Sequence, residues 1–80
     1  MYFVYILKSE KDKKYYYGSI KDIVLRLKRH NKGEVRATKS GRPLVLHYKE
    51  EYQTRSEAYQ REMFLKTIGG YNWLKEKTII

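Results

Sequence analysis

Residues Tyr2-Phe3-Val4-Tyr5-Ile6-Leu7 put β-branched, aromatic and aliphatic side chains at both parities of an extended chain. A strand formed here must hide both of its faces. It therefore needs a layer packed on each side, which makes it the central strand of whatever sheet the chain builds. The chain has 80 residues, 41% of them apolar. That closes one modest core and no more, so a multidomain enzyme with a large substrate cleft is excluded and a single domain over residues 1–80 is expected.

The rest of the chain supplies the layers. Ser9–Lys14 is polar and turn-forming, and Tyr15-Tyr16-Tyr17 resumes strand composition until Gly18 permits a bend, so a β-hairpin is expected. With a four-residue loop Ser9–Asp12, the pairing runs Lys8 with Lys13, Leu7 with Lys14, Ile6 with Tyr15 and Tyr5 with Tyr16. Tyr5 and Tyr16 would then be direct cross-strand neighbours. Ile23, Val24 and Leu27 fall at helical spacing, and Gly33 is a left-handed stop, giving a helix at about 21–31. Glu34–Arg42 reads as an exposed basic loop, and Pro43 opens a third strand, Leu44–Tyr48. Thr54-Arg55-Ser56-Glu57 fits a capping box ahead of a helix running to about Lys66 or Ile68, with Gly69-Gly70 as its end and Tyr71–Lys77 as a short last helix. The order β-β-α-β-α(-α) requires a hairpin and a right-handed crossover. Both are met by an α+β fold with a three-stranded sheet in the order 2-1-3 flanked by helices.

Charge and cysteine content narrow the chemistry. Eighteen Lys+Arg against nine Asp+Glu leave a net charge of +9. Residues 1–40 hold eleven of the bases and four of the acids, so the basic side is the first half. With nine tyrosines, this balance points to a polyanionic partner, nucleic acid above all, or else to an ordinary solvated lysine surface. The absence of cysteine excludes a disulfide framework, a thiolate nucleophile and cysteine-ligated zinc, so a metal site must rest mainly on oxygen ligands. No apolar run approaches a membrane span and Met1–Leu7 is too short for a signal peptide, so no membrane partner and a cytoplasmic location are expected.

On the first helix Arg26 and His30 stand four residues apart on one polar face, about 5–6 Å apart at Cβ. An isolated R-x-x-x-H reads first as an ordinary solvated face, and only second as a site. On the second helix Glu62 lies at i+4 from Ala58 and i−3 from Leu65, at the edge of a face that should be partly buried. A carboxylate so placed needs a partner, either a metal or a cation such as Lys66. His47 on strand three reads as a structural residue.

Together these residues spell a pattern. Phe3-Val4-Tyr5, Tyr16-Tyr17-Gly18 after a short hairpin, Arg26-Leu27 with His30-Asn31, and a helix bearing Arg61-Glu62 resemble the GIY-YIG nuclease domain, most closely its small stand-alone bacterial members. The similar spans run from Tyr2 to about Leu74 and include Ala37-Thr38-Lys39 before Arg42-Pro43, and Phe64-Leu65-Lys66 after Glu62. Two departures stand out: the first tripeptide lacks the glycine, and Tyr17 replaces an aliphatic residue. Asn72 is the one candidate for the asparagine that larger members carry after the acidic helix.

The resemblance implies a metal-dependent endonuclease that hydrolyses phosphodiester bonds, DNA being the foremost substrate. It makes Tyr5, Tyr16, Arg26, His30 and Glu62 catalytic, with Gly18 as a structural part of the motif. Glu62 would hold one Mg²⁺ or Mn²⁺, a hard cation that keeps several waters and takes phosphate oxygens. A single carboxylate cannot build a two-metal clamp, so one metal is expected. Arg26 would grip a phosphate oxygen as charge develops. The attacking water would lose its proton to a tyrosine of the Tyr5/Tyr16 pair, aided by positive charge from the metal, Arg26 or Lys21, or through a phenol to His30. Lys21, Arg36, Thr38, Lys39 and Arg42 are the expected contacts to the nucleic-acid backbone. The competing expectation is a catalytically weak or silent nucleic-acid-binding module, since family nucleases often borrow specificity from an attached domain or a protein partner.

Overall fold

The computed structural model describes residues 1–80. Strands β1 (Tyr2–Ser9), β2 (Tyr15–Ile20) and β3 (Leu44–Tyr52) form one sheet in the order β2-β1-β3, with β1 antiparallel to both neighbours. Helix α1 (Ile23–Asn31) and a 3-10 turn (Arg36–Gly41) link β2 to β3, and α2 (Arg55–Leu65) and α3 (Ile68–Glu76) follow. The α+β fold and the strand order are those expected. No helix is long and apolar enough to cross a membrane.

The double-faced pattern of β1 does what it requires. Val4 and Ile6 pack with Ala58, Leu65 and Leu74 from α2 and α3. Tyr5 and Leu7 pack on the other face with Leu44, against Ile23 and Leu27 of α1. The sheet thus has α2 and α3 on one side and α1 on the other, each burying its own small apolar cluster.

Several local expectations are corrected. The hairpin pairs Lys8 with Tyr15, Leu7 with Tyr16, Ile6 with Tyr17 and Tyr5 with Gly18, two residues from the expected register. The cause is Ser9, which stays in the strand instead of opening the loop. Its hydroxyl donates to Gly41 O (2.6 Å) and accepts from the amides of Lys11 and Asp12, which moves the turn on to residues 10–13. Gly18 does not bend the chain; β2 continues to Ile20. The span expected as an exposed loop is a 3-10 turn that buries Thr38 and Gly41.

Strand β3 runs four residues past Tyr48. The carboxylate of Glu50 accepts from Tyr48, from Tyr52 (2.8 Å) and from Arg61 (2.8 and 3.2 Å), so the extension carries a satisfied polar cluster. Arg61 in turn lies 4.4 Å over the Trp73 ring, which ties β3 to both α2 and α3. His47 is skipped in the β1–β3 register, the signature of a bulge, and its Nε2 is hydrogen-bonded to Ile79 O. Gly69-Gly70 does not end α2. Thr67 accepts from the Gly70 amide as an N-cap, and both glycines lie in the first turn of α3.

Candidate active site

Helix α1 starts on Asp22, whose carboxylate accepts from the Leu25 amide, and stops at Gly33 (φ +80°). Asn31 then pins its end to β3, donating to Leu44 O (2.9 Å) and accepting from Leu44 N (2.7 Å). With α1 fixed at both ends, Arg26 and His30 face Tyr5 on the α1 side of the sheet. Arg26 Nε donates to the Tyr5 hydroxyl at 3.4 Å, and the His30 ring meets the Tyr5 ring edge-on at 6.3 Å.

Tyr5 is 4% exposed and its ring crosses over β2. This is why residue 18 is glycine: a Cβ there would lie 2.3 Å from the Tyr5 hydroxyl oxygen. The missing side chain is the slot through which the phenol passes toward the edge of the sheet. The motif glycine therefore serves the tyrosine opposite it, and its role comes from packing rather than from a turn.

Glu62 reaches the same edge from the other face of the sheet. Its helix opens on the capping box of Thr54 and Glu57, with hydrogen bonds in both directions. One carboxylate oxygen accepts from Ser19 Oγ (2.6 Å) and the other from Lys66 Nζ (2.7 Å). Of the two partners expected for this buried carboxylate, the structure thus holds the cation at i+4.

Tyr5, Tyr16, Gly18, Arg26, His30 and Glu62 all line one cleft of about 430 Å³, together with Ser19 and Lys66. Tyr16 is half-buried and stands opposite Leu7 rather than Tyr5. The two-residue change of register preserves parity, so Tyr16 stays on the Tyr5 face and in the cleft. Lys39 and Arg42 lie apart from these residues, in a separate polar cleft with Lys11 and Asn31. Lys21 and Arg36 are exposed, as is Asn72, which is not among the residues lining the Tyr5 cleft.

Thr38 departs from the expectation for its loop. It is 2% exposed, too buried to touch a nucleic-acid backbone, and its Oγ1 is hydrogen-bonded to His30 Nδ1 at 2.7 Å. The other nitrogen of His30, Nε2, is buried and has no hydrogen-bond partner. Burial, and then the charge of Arg26, push the His30 pKa below its ordinary value, so the ring is held neutral.

Ser19 is the site residue that sequence reasoning missed. Its signal was parity: strand alternation puts it on the Val4 face, where a polar side chain needs a partner.

Glu62 supplies hard carboxylate oxygen, and one of those oxygens already binds a cationic group whose side chain is nearly half exposed and free to move aside. A divalent cation fits that donor. Nowhere in the chain do three or more His, Asp or Glu side chains converge, so such an ion would draw its remaining ligands from water and phosphate.

Comparison with known proteins bears on the family of the chain. Residues 1–71 match the family model described as the GIY-YIG catalytic domain. The chain is also 45% identical over 67 residues to UPF0213 proteins of Staphylococcus aureus strains Mu3, Mu50 and COL, spanning 82% of this chain and 80% of each relative. No solved structure gives a significant match.

Proposed function

The chain belongs to the GIY-YIG catalytic-domain family, which has a nuclease-type fold, and from that premise we propose that it is a metal-dependent endonuclease acting on DNA. The observation that carries this reading is the convergence of Tyr5, Tyr16, Arg26, His30 and Glu62, drawn from β1, β2, α1 and α2, on one cleft.

Arg26 spends its Nε on Tyr5 and keeps both terminal nitrogens for the oxygens of a bound phosphodiester. That contact strengthens as charge builds on the phosphorus centre. Thr38 acts on His30. Its hydroxyl also lies 3.4 Å from Val35 O; with its proton directed there, Oγ1 accepts a hydrogen bond from His30 Nδ1–H, the tautomer that leaves the lone pair on Nε2. A neutral imidazole with a free acceptor nitrogen suits removal of a proton from the attacking water, with the Tyr5 or Tyr16 phenol as relay. Glu62 would hold one Mg²⁺ or Mn²⁺ once Lys66 withdraws. Such an ion, when bound, neutralises phosphate charge and stabilises the leaving oxygen.

A second reading, a silent binding module of the same fold, draws on one observation: Lys66 and Ser19 engage both oxygens of Glu62. The deciding experiment is cleavage of labelled single-stranded, duplex and branched DNA, alongside RNA, in Mg²⁺, Mn²⁺ or EDTA, with the wild type and Glu62→Ala. Metal-dependent cutting that the variant loses supports the endonuclease. Binding by both proteins with no cutting under any metal establishes the silent module.

A further inference from the structure

A second and larger cleft, of about 860 Å³, shares Ser19 and Glu62 with the first. One wall carries Tyr2 and Lys21, and the other carries Arg55 and Tyr59 of α2. Lys21 and Arg55 are exposed cations, and neither forms an ion pair. Tyr59 is 55% exposed and packs against neither apolar cluster. Lys21 lies 6.0 Å over the Tyr2 ring, and neither cation has a carboxylate partner. An exposed aromatic sharing a cleft with two such cations is an arrangement that holds single-stranded nucleic acid, the ring meeting a base and the cations meeting the backbone.

We propose that this cleft binds an unpaired nucleotide beside the cleaved phosphodiester, with Tyr59 stacked on the base and Lys21 and Arg55 on the flanking phosphates. The placement beside the cut rests on the nuclease reading; the binding does not. The volume falls within the range of about 300–1,000 Å³ typical of pockets that enclose a small ligand. A base inside a duplex has both faces covered by its neighbours and reaches an aromatic ring only by leaving the stack. The substrate class is thus DNA with unpaired nucleotides next to the cut, such as a flap, a bulge or a single strand, in preference to continuous duplex.

The test is fluorescence anisotropy in EDTA, where nothing is cut, using a short fluorescein-labelled single-stranded DNA and a hairpin duplex of the same composition. Wild type binds the single strand more tightly than the hairpin. Tyr59→Ala weakens the single strand by about tenfold, the effect of losing one stacked base. Tyr59→Phe keeps the ring and retains the affinity, while Lys21→Glu and Arg55→Glu each weaken binding. Equal affinity for strand and hairpin, or a single-strand affinity that Tyr59→Ala leaves within about twofold, overturns the proposal. Wild type that binds as described but cuts no substrate retires the nuclease reading and leaves the nucleotide cleft standing. Wild type that cuts in the presence of metal but binds strand and hairpin alike does the reverse.

Discussion

A buried imidazole with one nitrogen bonded and the other bare is the most informative single residue in the chain. Thr38 is the only partner of the His30 ring nitrogens, so Thr38→Val, nearly the same in shape, leaves a buried N–H unmet at a cost of about 1–3 kcal/mol. The ring also loses the contact that fixes its tautomer, and under the nuclease reading cleavage falls by about tenfold or more. Thr38→Ser restores the hydroxyl and should recover both stability and rate, as thermal melts and initial rates will show. The His30 pKa is lowered by burial first and by Arg26 second. The unfolded chain therefore takes up a proton near the ordinary value of 6.5 while the folded protein still resists it. Stability is full above about pH 6.5, declines as pH falls below it, and stops declining once folded His30 is protonated too. His30→Asn should flatten that stretch of a plot of melting temperature against pH. The role of Thr38 was not legible in the sequence, because Ala37-Thr38-Lys39 reads as part of a basic loop until the 3-10 turn folds its threonine inward.

At the scale of elements, most of the secondary structure was legible, because periodicity and caps are local. The double-parity run of β1, the capping box at Thr54 and the stop at Gly33 each stand where the residues put them. What was not legible depends on contacts between elements. The hairpin register turned on Ser9 meeting Gly41, 32 residues away. The placement of Gly69-Gly70 inside α3 turned on how closely α2 and α3 approach. A Cβ on Gly70 would lie 2.1 Å from the Phe64 carbonyl oxygen and 2.5 Å from Leu65 Cα, backbone atoms that cannot yield. A Cβ on Gly69 would meet only side-chain atoms, at 3.6 Å and beyond. Gly70→Ala is therefore expected to destabilise the protein by about 3 kcal/mol. Gly69→Ala, which replaces the poorer helix former, should stabilise it by up to about 1 kcal/mol. Urea denaturation of the two variants against wild type checks both signs, and equal effects would mean that Gly69-Gly70 acts as a flexible joint and not as a packing contact.

For the whole molecule, a net charge of +9 draws any polyanion, so affinity alone says little about the site. The family pattern made the constellation of Tyr5, Tyr16, Arg26, His30 and Glu62 legible before any coordinates, since each residue belongs to an ordered motif. The Tyr59 cleft was not, because Tyr2, Lys21, Arg55 and Tyr59 belong to no common motif and meet only through the packing of α2 on β2. Salt dependence separates the general field from the cleft. Lys21, Arg26 and Arg55 are the cations of the two joined clefts that no carboxylate holds. Three phosphate contacts on a single strand give a slope of about −2.1 in log K against log salt, or a loss of about eighteenfold for a fourfold rise in salt. Lys21→Ala and Arg55→Ala should each make that slope shallower by about 0.7. Lys39→Ala, in the separate polar cleft, should leave it unchanged. Were all three substitutions to lower the slope equally, the strand would be held by the protein's overall field, and the joined clefts would have no part in directing it.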